Sequence, residues 1–113
     1  MKIEQYIFGK MKINGESYTS DLIIYPDRIN TSWWREKGHL VQIKDLDEIL
    51  KHKPDILIIG TGYMGLMKVE REVKEILSNL KIKFYIERSK KAIEIFNNIQ
   101  NDKKVIGAFH LTC

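Results

Sequence analysis

The chain has 113 residues, 43% hydrophobic and 30% charged, with a formal net charge of +4. That length fits one compact domain spanning 1–113 and excludes a two-lobed enzyme with a cleft between its halves, and no apolar run approaches the roughly 20 residues of a membrane helix. The positive charge is mostly lysine scattered among acidic neighbours, only Arg28, Arg35, Arg71 and Arg88 being arginines, so it reads as solvated surface rather than a stripe for nucleic acid.

In chain order, short β-prone runs come first: Gln5–Phe8, Lys10–Ile13, Glu16–Thr19 and Leu22–Tyr25, with Asn14-Gly15 as a hairpin turn. This half is expected to form an antiparallel meander. A first helix is expected over Lys44–Lys51, where Leu46, Ile49 and Leu50 share one face. From Pro54 onward strand and helix patterns alternate: Ile56–Ile59, helix Glu70–Leu80, Lys83–Glu87, helix Ser89–Asn101, Val105–His110. The second helix carries the stripe Val73, Ile76, Leu77 and Leu80, with Glu70 and Glu72 in its first turn; the third carries Ala92, Ile95, Phe96 and Ile99, with Ser89 as its N-cap. The C-terminal half is therefore β-α-β-α-β, its three strands parallel in one sheet.

The most informative stretch is Asp55-Ile-Leu-Ile-Ile-Gly-Thr-Gly-Tyr-Met-Gly65, a buried-strand pattern that breaks into glycines spaced G-x-G-x-x-G. In dinucleotide sites such glycines let backbone amides reach a pyrophosphate at a helix N-terminus, and an acid ends the next strand about 20 residues on, where Glu87 stands. Two departures oppose that use. Leu66–Val69 intervenes before the helical stripe begins, and there is no second β-α-β-α-β half. No cofactor is expected. Gly60, Thr61, Gly62 and Gly65 remain candidates for an anion or small-ligand turn, against the plainer reading of a structural turn.

Other chemistry is sparse. His39, His52 and His110 show no metal-ligand spacing, and His110-x-x-Cys113 alone offers two ligands where zinc needs three or four, so no metal is expected. Asp21 follows Ser20 at the entrance to an apolar strand and reads as a turn residue; pairing in space with Thr61 or His110 is the catalytic alternative. Trp33-Trp34-Arg35 is unusual: adjacent side chains of an extended segment face opposite ways, so one indole can enter the core and leave the other for solvent or a partner, against the plainer reading that both rings cover the edge of a small sheet. The loop after Gly62 places Tyr63, Met64, Leu66 and Met67 where polar residues are expected. Trp33, Trp34, Arg35, Tyr63, Met64 and Met67 are the candidate interaction residues.

Tyr18–Pro26, Trp33–Arg35 with Gly38-His39, Leu57–Gly62 and His110–Cys113, in that order, resemble the family of small uncharacterised domains that includes the adipogenesis-associated domain-containing proteins and a mitochondrial complex I assembly factor. The resemblance spans nearly the whole chain. It implies an α/β domain of about three layers, with a mixed central sheet, helices packed on it and an N-terminal hairpin element, and it carries over no catalytic residues. With Lys2, Glu4 and Gln5 in place of an apolar signal core and Cys113 as the only cysteine, a cytoplasmic setting is expected. The expected function is that of a non-enzymatic accessory or protein-interaction domain with a protein partner, no membrane, no nucleic acid and a possible homo-oligomeric state; the alternative is a phosphate- or nucleotide-binding domain or enzyme using the Gly60–Gly65 turn.

Overall fold

The computed structural model describes all 113 residues. Strands β1 (Ile3–Ile7), β2 (Lys10–Ile13) and β3 (Glu16–Tyr18) make an antiparallel meander of their own. Asn14 and Gly15 both take positive φ, 50° and 85°, as a two-residue hairpin turn requires. Next come β4 (Leu22–Ile24), β5 (Ile29–Asn30) and β6 (Leu40–Val41), then a 3-10 turn at Ile43–Leu46 that runs into α1 (Asp47–Lys51). The second half is β7 (Ile56–Thr61), β8 (Lys68–Val69), α2 (Arg71–Asn79), β9 (Lys83–Glu87), α3 (Ser89–Ile99) and β10 (Val105–His110). No helix is long and apolar enough to cross a membrane.

A mixed five-stranded sheet of order β5-β4-β10-β7-β9 forms the centre, with β7, β9 and β10 parallel as the alternation of patterns implies. The Leu22–Tyr25 run does not join the meander. It pairs antiparallel with β10, because Leu22 to Tyr25 are apolar at every position and only a strand covered on both faces can bury them all. Leu22 and Ile24 enter one core with Ile56, Ile58 and Phe109, covered by α3 and the meander; Ile23 and Tyr25 enter the other with Leu57, Ile59 and Ile106, covered by α1 and α2. The domain is thus layered around its sheet.

The end of β7 and the start of α3 also differ from the sequence reading, and Leu80, placed in the stripe of α2, is exposed. Strand β7 runs past Ile59 to Thr61, since Gly60 and Thr61 keep their pairing with Phe109 and His110. Ser89 is the first residue of α3 rather than its N-cap, and its side chain is buried beneath the end of β7. The pair β6 and β8 was not legible: Leu40 faces Lys68 and Val41 faces Val69 in parallel register, tying the loop that carries the tryptophans to the segment after the glycines.

Candidate functional site

Helices α2 and α3, which follow the neighbouring parallel strands β7 and β9, pack on opposite faces of the sheet, so the connections leaving these two strands diverge. In open α/β sheets the crevice at the carboxyl ends of two such strands is where ligands bind. Here those ends are Thr61-Gly62 and Glu87-Arg88, with His110-Leu111 at the end of β10 on the other side of β7.

The glycine turn is filled from within. Gly62 (φ 107°) donates its amide to Ser89 Oγ at 2.9 Å, and Ser89 Oγ donates in turn to the His110 carbonyl at 2.6 Å. The Tyr63 amide donates to Thr112 O (2.7 Å), the Leu66 amide to Cys113 O (2.9 Å) and the Gly65 amide to Gly62 O (3.2 Å). Thr61 is buried, its hydroxyl donating to the Glu87 carbonyl at 3.1 Å. A Cβ at Gly62 would stand 2.5 Å from the carbonyl carbon of Cys113, so the group that approaches this glycine closely is the chain's own Thr112–Cys113 segment.

Beside it lies a buried polar knot. Asp21 sits across from His110 because β4 and β10 pair antiparallel with Leu22 facing Phe109. Asp21 Oδ2 is 2.7 Å from His110 Nδ1 and accepts from Arg35 Nη2 at 2.7 Å, while Oδ1 accepts from the Leu111 amide at 2.8 Å. Burial by itself would raise the Asp21 pKa; the hydrogen bonds from His110, the Leu111 amide and Arg35, together with the charge on His110, outweigh it and hold the carboxyl below its ordinary value of 3.8. Arg35 also donates to the Gly38 carbonyl and stacks over the Trp33 ring at 4.5 Å. His110 Nε2 is buried without a partner, and the exposed His39 ring lies edge-on 5.3 Å from the His110 ring. No group of three or more His, Cys, Asp or Glu side chains is placed to hold a metal ion.

The six candidate interaction residues divide. Trp33, Arg35 and Met67 are buried: Trp33 donates its indole N–H to Asp45 O, Arg35 closes the knot, and Met67 is drawn under the sheet beside the β6–β8 pair. Trp34 is 75% exposed, Tyr63 46% and Met64 59%, joined by Leu66 at 48% and by Phe8, which the sequence reading placed in a strand, at 53%. Phe8 sits in the turn between β1 and β2, held at this edge by the Gly9 amide, which donates to Leu111 O at 2.8 Å; its ring meets that of Tyr63 edge-on at 5.9 Å. The Tyr6 ring lies tilted 6.1 Å from that of Tyr63, and burial pushes the Tyr6 phenol up to about 12. The four motifs named above, far apart in sequence, meet at this edge: Asp21, Arg35 with His39, Thr61-Gly62, and His110 with Cys113. The signal that could have found Phe8 is its place next to Gly9, an aromatic in a turn.

Similar architecture occurs in solved structures. The conserved hypothetical protein PH1505 from Pyrococcus horikoshii OT3 matches at 27% identity over 100% of both chains, with a TM-score of 0.86. MT938 matches at 22% identity over 99% of this chain and 98% of its own, TM-score 0.82. A protein described as an outer membrane protein from Bartonella henselae matches at 21% identity over 98% and 94%, TM-score 0.81, a likeness of fold alone. The model of the family of proteins of unknown function DUF498/DUF598 matches residues 3–110, and the chain belongs to that family.

Proposed function

We propose that this domain is a non-enzymatic accessory module that binds a protein through Phe8, Tyr63, Met64 and Leu66. The observation that carries the reading is the group of large apolar side chains exposed together at the carboxyl edge of the sheet, on two turns whose backbones are pinned to Leu111, Thr112 and Cys113. Rigid aromatic anchors lose little entropy on binding, and apolar patches held at a surface mark interaction sites. The family resemblance, which includes accessory and assembly proteins, points the same way. A phosphate or nucleotide at the Gly60–Gly65 turn has less support, because the amides of Gly62, Tyr63, Gly65 and Leu66 already donate within the protein.

Tyr63→Ala combined with Met64→Ala tests the reading. Both side chains are exposed, Tyr63 by nearly half and Met64 by more, so thermal unfolding of the double variant is expected within a few degrees of the wild type. Recovery of the protein that co-purifies from cells of the source organism is expected to be lost. Undiminished recovery would place the binding surface elsewhere, and an unfolded variant would make the loop structural.

A further inference from the structure

Tyr63 borders two different surfaces, and the second specifies what the partner carries. On one side is the apolar patch with Phe8; on the other is an open hollow of about 380 Å³ lined by Tyr63, Arg88, Lys90, Lys91 and Glu94. The Arg88 guanidinium donates to the Tyr63 carbonyl from Nε (3.1 Å) and Nη2 (2.7 Å), contacts that orient it without neutralising it. None of the three cations takes part in an ion pair, whereas Lys44 and Lys51 on the opposite face of the sheet are paired with Glu36 and Asp47. The first turn of α3 has no acidic residue, so the positive end of the helix adds to the field of the side chains instead of being offset. Glu94 is the single opposing charge in the hollow.

Resting on the protein-binding reading above, we propose that the partner presents one segment with a large apolar side chain for the Phe8–Tyr63–Met64–Leu66 patch and, within a few residues of it, two or more Asp or Glu side chains for Arg88, Lys90 and Lys91. The shared Tyr63 sets that spacing. The cations are exposed, so they act as a rim that orients and selects the segment, with the apolar contact at its centre.

The test is position-specific photocrosslinking in the full-length protein, with the reactive side chain at Met64 and, as control, at the exposed Lys74, followed by sequencing of the crosslinked peptide and repetition in the variant Lys90→Glu with Lys91→Glu. Acids in the first turn favour the helix, so this variant is expected to fold as well as the wild type. The expected result is a crosslinked segment with clustered Asp or Glu around an apolar residue, with yield falling about tenfold or more in the charge-reversed variant and falling as salt is raised. A segment without acidic residues, one whose negative charge is phosphoserine, a second copy of this chain, or undiminished yield in the charge-reversed variant would overturn the partner's chemistry and leave the protein-binding reading intact. Crosslinking at Met64 no stronger than at Lys74 would overturn both.

Discussion

Gly62→Val is expected to cost the domain about 4 kcal/mol or more, a large share of the stability of a chain this size. Two effects add. A φ of 107° is one that residues with a Cβ rarely adopt, and the new Cβ would meet the Cys113 carbonyl carbon at 2.5 Å and the Thr112 oxygen at 2.7 Å, backbone atoms that cannot swing aside as a side-chain tip would. Relief requires the Thr112–Cys113 segment to leave the glycine turn, which removes the acceptors of the Tyr63 and Leu66 amides. Circular dichroism should show a melting temperature lower by roughly 15 °C or more. A fall of only a few degrees would mean that the Thr112–Cys113 segment is not held against the turn.

Asp21→Asn should cost about 3 kcal/mol at neutral pH, because Arg35, almost wholly buried, would lose its only carboxylate while His110 faced an amide. The loss is also pH-dependent with a definite sign. The folded state lowers the Asp21 pKa, so the contribution is complete above the unfolded value near 4 and disappears as the pH falls through the lower folded value. Urea titrations at pH 7 and below pH 4 should therefore show the gap between wild type and Asp21→Asn closing in acid. A gap that stays constant would mean the carboxylate is not held ionised by the knot.

The parts of the fold that could be read from sequence are those with unbroken physical signatures. Runs such as Ile56–Ile59 and Val105–His110 are apolar on both faces, which only a central strand satisfies, and the stripes of α2 and α3 recur at the helical period. The run Leu22–Tyr25 reads as a strand, but nothing local distinguishes a further meander partner from a neighbour of β10, whose residues lie 80 or more positions away. The two-residue strands β5, β6 and β8 are shorter than any period and are set by what surrounds them. At the candidate site, the alternation of Trp33 and Trp34 allows one ring to be buried or both to cover a sheet edge, and only the folded structure buries Trp33 and exposes Trp34; Met67 is core because β8 pairs with β6, while Met64, three residues earlier, is at the surface. The meeting of Asp21 with His110 was weighed as one alternative, and the antiparallel register of β4 on β10 brings it about. Arg88, Lys90 and Lys91 do not stand out in the sequence, because a basic run at a helix start has the signature of solvated surface and only the fold sets Tyr63 beside it.

The central claim is that the glycine turn is occupied by the chain's own backbone and presents a surface instead of a phosphate cradle. Its most direct test is the set of backbone amide resonances of Gly62, Tyr63, Gly65 and Leu66, followed while ATP, ADP, NAD or NADP is added to millimolar concentration, with melting curves on the same samples. The account predicts that these four amides do not move and that the melting temperature stays where it was. Saturable shifts at these amides, with a stabilisation of roughly 2.7 kcal/mol once ligand reaches about 100 times its dissociation constant, would contradict it and make the turn a ligand site.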